Sequence, residues 1–472
     1  MTRPADDHAV WIVLSLYLVE AASLLILVGI YKARVYDWTL LPTKAGAVLL
    51  AGAIGLIASA WLLVRRILAC GGSRGRALAL GLTTNLITAF IAFLLLETTV
   101  RIAARRTPQG IVVGSVALQA SWPELVARSR EVLAAVTPWG TWDASYFVYD
   151  RELGWTVGPN RRSPDGMYFS SVEGLRSGGP DVRFAHPSAR HRVALIGDSN
   201  AFSFEVPFRD SWGYHLQQLL GADVQVLNFG VDGYGIDQIY LRYLRDVRPW
   251  KPRVVVIGIS AHDFQRTMAV YPFVSFEWPG YLVKPRFTIV KDELRLLNVP
   301  LPAPEQILGA RRIGELPFVD YDLGYGTTDW IWRFDRSPLI VRFLTSAFPR
   351  WPMEDSRVSE EATQALNSRL FTRMLESIAE AGAVPLVVFM SHRSPVPQTL
   401  SLSRIPFLDT AGCLSEVPAD RTRVPSGNHY TGLANQAIAR CTTPAVKAGL
   451  RRPAPARRRV RASRPSRTGS PN

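Results

Sequence analysis

Apolar residues fall along this chain in two different rhythms. Near the N-terminus they form long unbroken runs: "AVWIVLSLYLVEAASLLILVGIY" (9–31), "AGAVLLAGAIGLIASAWLLV" (45–64) and "ALALGLTTNLITAFIAFLLL" (77–96). Each is long enough to cross a hydrocarbon core of about 30 Å as a helix. The pattern predicts a membrane domain over 1–106 with three transmembrane helices. A cleaved signal peptide does not fit the first run, which is too long and ends without a small-x-small site. The first run holds a carboxyl, Glu20, and the third a carboxamide, Asn85. Both read as helix-contact residues, since a lone carboxyl without a partner is poor evidence for a proton path.

From residue 192 the rhythm changes to short apolar runs separated by helical stretches. The runs are "VALIG" (193–197), "VQVLNFG" (224–230), "VVVIGIS" (254–260) and "VPLVVFM" (384–390). The stretches between are "WGYHLQQLLG" (212–221), "GIDQIYLRYLRDV" (235–247) and "SRLFTRMLESIAEAG" (368–382). Continuous apolar strands alternating with helices predict a parallel sheet covered on both faces. Residues 107–145 read as a connector, with "WPELVARSREVLAAV" (122–136) as an amphipathic helix on the membrane surface or against the domain. The segment 270–345 interrupts the rhythm: "KPRFTIVKDELRLLNVPLPAP" (284–304) reads as a hairpin around Lys291-Asp292, and Trp and Pro follow. It is expected to overhang the sheet edge and form one wall of a site.

Charge and cysteines add orientation. The formal charge is +15, and the tail 451–472 carries eight Arg and no acid. Such a tail (448–472) cannot build a core and is expected to be solvated, with no specific nucleic-acid partner. Lys and Arg are densest in the short second loop (Arg65, Arg66, Arg74, Arg76), which puts that loop and the N-terminus inside and everything after residue 100 outside. Lys32, Arg34 and Lys44 in the first loop and Arg101, Arg105 and Arg106 after the third run weigh the other way. Cys70 lies at the predicted inner end of the second span. If the large domain lies outside, Cys413 and Cys441 either form a disulfide around "PSGNHYTG" or stay as two thiols.

The chemistry sits at the strand ends. Asp198-Ser199 follows the first run, "NFGVDGYG" with Asn228, Gly230 and Gly233 the second, His262-Asp263 the third, and Ser391-His392 the fourth. His429 stands in "SGNHYTGLANQAIA" before a late helix. Ligands of parallel sheets bind outside these carboxyl ends. A serine, a histidine and backbone donors from a Gly-rich loop are the set that acyl transfer needs. The seven His and three Cys show no metal-ligand spacing, and no phosphate-binding loop or GxGxxG fingerprint is present. No cofactor is expected.

These four blocks in order resemble the SGNH/GDSL hydrolase family, in its membrane-anchored bacterial form, over roughly 145–445. The resemblance implies a flavodoxin-like three-layer α/β/α domain over 146–447, with a parallel sheet and an insertion at about 270–345. It implies Ser199 as nucleophile and His429 as base. The oxyanion hole would come from the N–H groups of Ser199 and Gly233 and from His262. Asp198, Asn228 and Asp263 would support them. Two positions depart from the family pattern. His262 stands where the family has Asn, and a neutral imidazole can still donate a hydrogen bond. The family also places an Asp two or three residues before the late His, where this chain has Gly427 and Ser426. A carbonyl, Ser426 or a distant carboxylate such as Asp409 is then expected to hold the ring, with His262-Asp263 or His392 as weaker substitutes.

The function that follows is a membrane-anchored serine esterase at the inner (cytoplasmic) membrane, with its domain on the extracytoplasmic side. O-acetyl groups on an envelope glycan are the substrate the resemblance points to. The partners would be the lipid bilayer, an ester-bearing carbohydrate and envelope-assembly proteins. Two alternatives use the same scaffold: an O-acyltransferase onto a glycan hydroxyl, and a degenerate module that binds glycan through Trp278, Trp330 and Trp332 or assembles a complex.

Overall fold

The computed structural model describes residues 4–35, 44–69, 74–107, 110–136, 146–185, 189–325, 338–347, 360–390, 397, 399–400, 406–427 and 429–452. Cys70, Trp330, Trp332, Ser391, His392, Asn428 and most of the basic tail lie outside them. The chain divides into two compact units, Met1–Ala120 with Arg336–Glu354, and Ser121–Asp335 with Asp355–Asn472.

The first unit holds helices Pro4–Val35, Lys44–Ala69 and Arg74–Ala103. Among the described residues two are long and apolar enough to cross a membrane, Leu50–Ala69 and Gly75–Ala103, against the three expected. The first helix is continuous, but its described apolar stretch is the shorter Val10–Ile26. Large apolar side chains on all three point outward, among them Leu24, Ile57 and Leu86. Asn85 is buried, as a contact residue should be, whereas Glu20 is exposed. A small antiparallel sheet, Ala104–Thr107, Gly110–Val113 and Val116–Ala117, follows the third helix. The helix Leu339–Ala347 belongs to this unit too. Its first N–H groups, on Leu339 and Ile340, donate to the Glu97 carboxylate at 3.1 and 2.8 Å.

The second unit is built on five strands: β1 (His191–Gly197), β2 (Val224–Asn228), β3 (Val254–Ile259), β4 (Val384–Phe389) and β5 (Phe407–Asp409). All pairings are parallel, in the order β5-β4-β3-β1-β2. Read from the other edge this is 2-1-3-4-5, the flavodoxin-like doubly wound order, whose ligand crevice opens where the chain leaves β1 and β3 in opposite directions. The four expected strands are present, and β5 is an addition. At three residues it is too short to leave a periodic signal.

Strand alternation sends successive side chains to opposite faces. Val193 and Leu195 of β1 pack with Trp212 and Leu216 of one helix (Trp212–Leu220) and with Ala434 and Ile438 of another (Gly432–Arg451). Ala194 and Ile196 face the opposite layer, with Ile239 of helix Ile236–Arg242 and Phe371, Met374 and Ile378 of helix Glu360–Glu380. This double coverage is why the strands are apolar throughout rather than at alternate positions.

The segment after β3 holds the expected hairpin, Phe287–Val290 paired with Glu293–Leu296. Lys291 and Asp292 at its turn both have positive φ, 47° and 64°, as a turn matching strand twist requires. A fully buried ion pair, Lys284 with Asp237, ties this segment to helix Ile236–Arg242. Asp322 organises it further, accepting from the N–H groups of Val270, Tyr271 and Gly324 and from the Ser275 hydroxyl. The predicted helix Trp122–Val136 lies against this segment, with the Trp122 indole donating to Ala310 O at 3.0 Å. Cys413 and Cys441 form a disulfide, which pins helix Gly432–Arg451 beside β5.

Candidate active site

β1 ends in Gly197, Asp198 and Ser199, and Ser199 is the first residue of a one-turn helix, Ser199–Phe202. Asp198 caps that turn, accepting from Asn200 N at 2.9 Å. Gly197 has φ +150°, and a Cβ there would lie 2.1 Å from the carbonyl oxygen of Gly258 on β3. That close approach sets Ser199 against the end of the neighbouring strand. The loop after β2 is stitched to the same place: Phe229 N donates to Leu195 O at 2.8 Å and Val231 N to Gly197 O at 3.1 Å. Asn228 is a brace. Its amide donates to Ala201 O and its oxygen accepts from Gly230 N, both at 2.9 Å.

Gly233 follows at φ +74°, a conformation that side chains disfavour. A Cβ there would meet Trp155 and Trp278, at 3.3 and 3.6 Å. The backbone conformation calls for glycine there, and a Cβ would in addition be tight against Trp155.

At the end of β3, Ser260 caps the helix Ala261–Arg266. Asp263 is fully buried and accepts from Ser260 N (2.8 Å), Ser260 Oγ (2.9 Å) and Arg266 (2.8 Å). The same guanidinium reaches Asp198 at 3.3 Å. Burial, and then the negative Asp198, push the Asp263 carboxyl well above its usual range. The pair and Arg266 form one compact network below Ser199. His262 is exposed, and its Nδ1 lies 3.3 Å from Gln265 Oε1.

His429 stands two residues before the cap Thr431 of helix Gly432–Arg451. Its Nδ1 lies 2.5 Å from Glu205 Oε2. Ser426 donates to the same oxygen at 2.7 Å, and Phe204 packs edge-on against the ring at 5.3 Å. Burial raises the Glu205 carboxyl, but the His429 and Ser426 hydrogen bonds outweigh it and hold the group below its ordinary value. An ionised Glu205 can only accept, so Nδ1 carries the proton in the neutral ring and Nε2 is left with its lone pair. Glu205 is therefore the carboxylate that holds the His429 ring through Nδ1. Asp409 does not: it caps the helix Thr410–Cys413 through Ala411 N at 2.8 Å. Ser426 acts on Glu205.

Ser199, Asn200, Gly233, Ser260, His262 and His429 line one cavity of about 530 Å³, together with Asp198, Asp232 and Arg266. Its far wall is Phe276, Trp278, Pro279 and Tyr281, so the inserted segment forms a wall as expected. Asp232 accepts from the Tyr281 hydroxyl, and burial raises its carboxyl above the usual range.

Sequence reasoning missed Glu205, Asp232, Arg266 and Tyr281. Glu205 had one faint signal, as the first acid after Ser199 in "SNAFSFE".

Comparisons with protein-family models and with curated proteins found no match. Solved structures to which the chain is similar include a lipolytic protein of the G-D-S-L family from Desulfitobacterium hafniense. The identity is 14%, covering 54% of this chain and 98% of that one, with a TM-score of 0.27. TesA is similar at 13% identity over 55% of this chain and 99% of that one, with a TM-score of 0.30. The acetylxylan esterase Axe2 from Geobacillus stearothermophilus gives 12% identity over 57% and 98%, with a TM-score of 0.28. At these scores the likeness adds no weight of its own. The fold reading stands on the strand order and on what lies at the strand ends.

Proposed function

We propose that this chain is a membrane-anchored serine esterase of SGNH type. The observation that carries the reading is the convergence at one cavity of Ser199, at the end of β1, and His429, with its Nδ1 held by Glu205. Ser199 Oγ attacks the ester carbonyl carbon and its proton passes to His429 Nε2. The carbonyl oxygen becomes an oxyanion facing the N–H groups of Ser199 and Gly233, with His262 at the rim. As the C–O bond breaks, His429 returns the proton to the leaving alcohol. Water then adds to the acyl-Ser199 and gives a proton to His429; the C–O bond to Ser199 breaks as His429 returns that proton to Oγ, and the acid leaves. Glu205 stabilises the imidazolium formed in each half.

A carboxylate, Glu205, at the His429 ring weighs against a degenerate module, while His262 still stands where the family has Asn. A glycan O-acetyl ester suits a cavity whose wall includes the aromatic residues Trp278 and Tyr281. The two long apolar, outward-facing helices support a membrane anchor. The Cys413–Cys441 disulfide supports an extracytoplasmic site, where such bonds persist. The test is labelling with a fluorophosphonate, wild type against Ser199→Ala, together with hydrolysis of p-nitrophenyl acetate. A wild-type adduct that vanishes in Ser199→Ala is expected. A folded wild type that neither labels nor hydrolyses defeats the proposal.

A further inference from the structure

The loop that carries Glu205 is not relaxed. Ser203 (φ 61°) and Glu205 (φ 64°) both adopt the left-handed conformation without being glycine. Such residues persist only where their surroundings impose them. Here the surroundings come from a pair of short strands that precede β1, Phe169–Ser170 and Arg176–Ser177. The Arg176 guanidinium donates through Nη1 to the carbonyls of Phe202 and Ser203, and through Nη2 to Val206 O at 2.5 Å. The Tyr168 hydroxyl accepts from the Glu205 N–H itself at 2.8 Å. Every backbone contact is to Glu205 or to a residue within three positions of it.

Arg176 is an unusual residue to find there. It is 2% exposed. Among the described residues no carboxylate forms an ion pair with it, and its charge is met by carbonyl oxygens and by the rings of Phe202 and Tyr168, 4.4 and 5.1 Å away. Burial lowers its pKa to about 10, so it stays charged at neutral pH. A buried cation without a counter-ion is poor for stability, and an apolar side chain would fill the space more cheaply. A methionine, however, could not hold three carbonyls in a fixed fork.

Resting on the esterase reading above, we propose that Arg176, with Tyr168, is a positioning residue that sets the Glu205 turn and so aims the His429 ring. Neither touches the cavity. They act through Glu205, whose carboxylate fixes the tautomer and direction of the imidazole. A displacement of about 1 Å at such a group lowers turnover by about 100-fold.

The test uses the full chain in detergent and p-nitrophenyl acetate, with Arg176→Lys, Arg176→Met and Tyr168→Phe, each alone and combined with Glu205→Gln. Folding is checked by circular dichroism and by the unfolding midpoint. Arg176→Lys keeps the charge but loses the fork, and is expected to lower kcat by about 10–100-fold with KM within about twofold. Combined with Glu205→Gln, each change should add nothing to the loss from Glu205→Gln alone, because both remove one linkage. Folded Arg176 variants with wild-type kcat, or losses that multiply with that of Glu205→Gln, overturn the proposal. If neither Arg176 variant folds, Tyr168→Phe decides by the same two criteria. Should the wild type itself lack esterase activity, the esterase reading fails. The positioning role is then read from the His429 ring nitrogen shifts, identified with His429→Gln. Movement in Arg176→Lys toward the Glu205→Gln shifts supports it, and unchanged shifts overturn it.

Discussion

The Ser199 turn and the His429 segment face the same cavity, and they are held in different ways. Ser199 follows the buried end of β1, between β2 and β3, with Asp198 capping its turn and Asn228 bracing it. Its supports are the sheet and its own neighbours. His429 lies on a surface segment outside the sheet. Its orientation depends on Glu205, 224 positions earlier, and its segment is closed by a disulfide. A side chain at a strand end is placed by the sheet and by its near neighbours. A side chain on a loop needs separate long-range devices, each of which can be removed without unmaking the sheet.

The largest effect expected from breaking the second kind of support is that of Glu205→Gln. It should lower kcat by up to about 10⁴-fold, measured on p-nitrophenyl acetate, because the neutral ring loses its fixed tautomer. Near-wild-type turnover would show that His429 is aimed by something else. Glu205 also gives a pH dependence. Its carboxyl sits below the ordinary value in the fold, so its contribution to stability is complete above the unfolded value of about 4.3 and is lost as pH falls through the lower folded value. Thermal melts between about pH 3 and 6 should show this acid loss in the wild type and a smaller one in Glu205→Gln.

Removing the disulfide, by Cys413→Ser with Cys441→Ser, should cost about 3 kcal/mol in denaturant unfolding. An unchanged midpoint would mean that helix packing alone holds the His429 segment. The smallest effect belongs to Asp409→Ala. It should cost about 1 kcal/mol through the lost helix cap and leave kcat unchanged. A drop in kcat like that of Glu205→Gln would return the orienting role to Asp409.

The two regions were also unequally readable. Ser199, Asn228 and Gly233 follow apolar runs, and burial on both faces makes such runs stand out in any sequence. His429 was recognisable from its block, and Asp198 and Asp263 from theirs. The orienting acid was not. The chain has a glycine and a serine where the resemblance implies an Asp, and the carboxylate that meets His429 comes from the loop after Ser199, at a residue in a left-handed conformation. Arg176 left no trace either, since one Arg in "EGLRSGGP" looks like any other until three carbonyls are found around it.

Local pattern by itself determined the apolar N-terminal helices, the four long strands, the hairpin around Lys291-Asp292 and the placement of Ser199 at a strand end. These follow from periodicity and from turn chemistry over a few neighbouring residues. Tertiary structure decided the strand order, which groups share the cavity, and that Glu205 rather than Asp409 meets His429. Those choices rest on contacts between residues far apart in the chain, where spacing carries no information and only the packed sheet brings the groups within hydrogen-bonding reach.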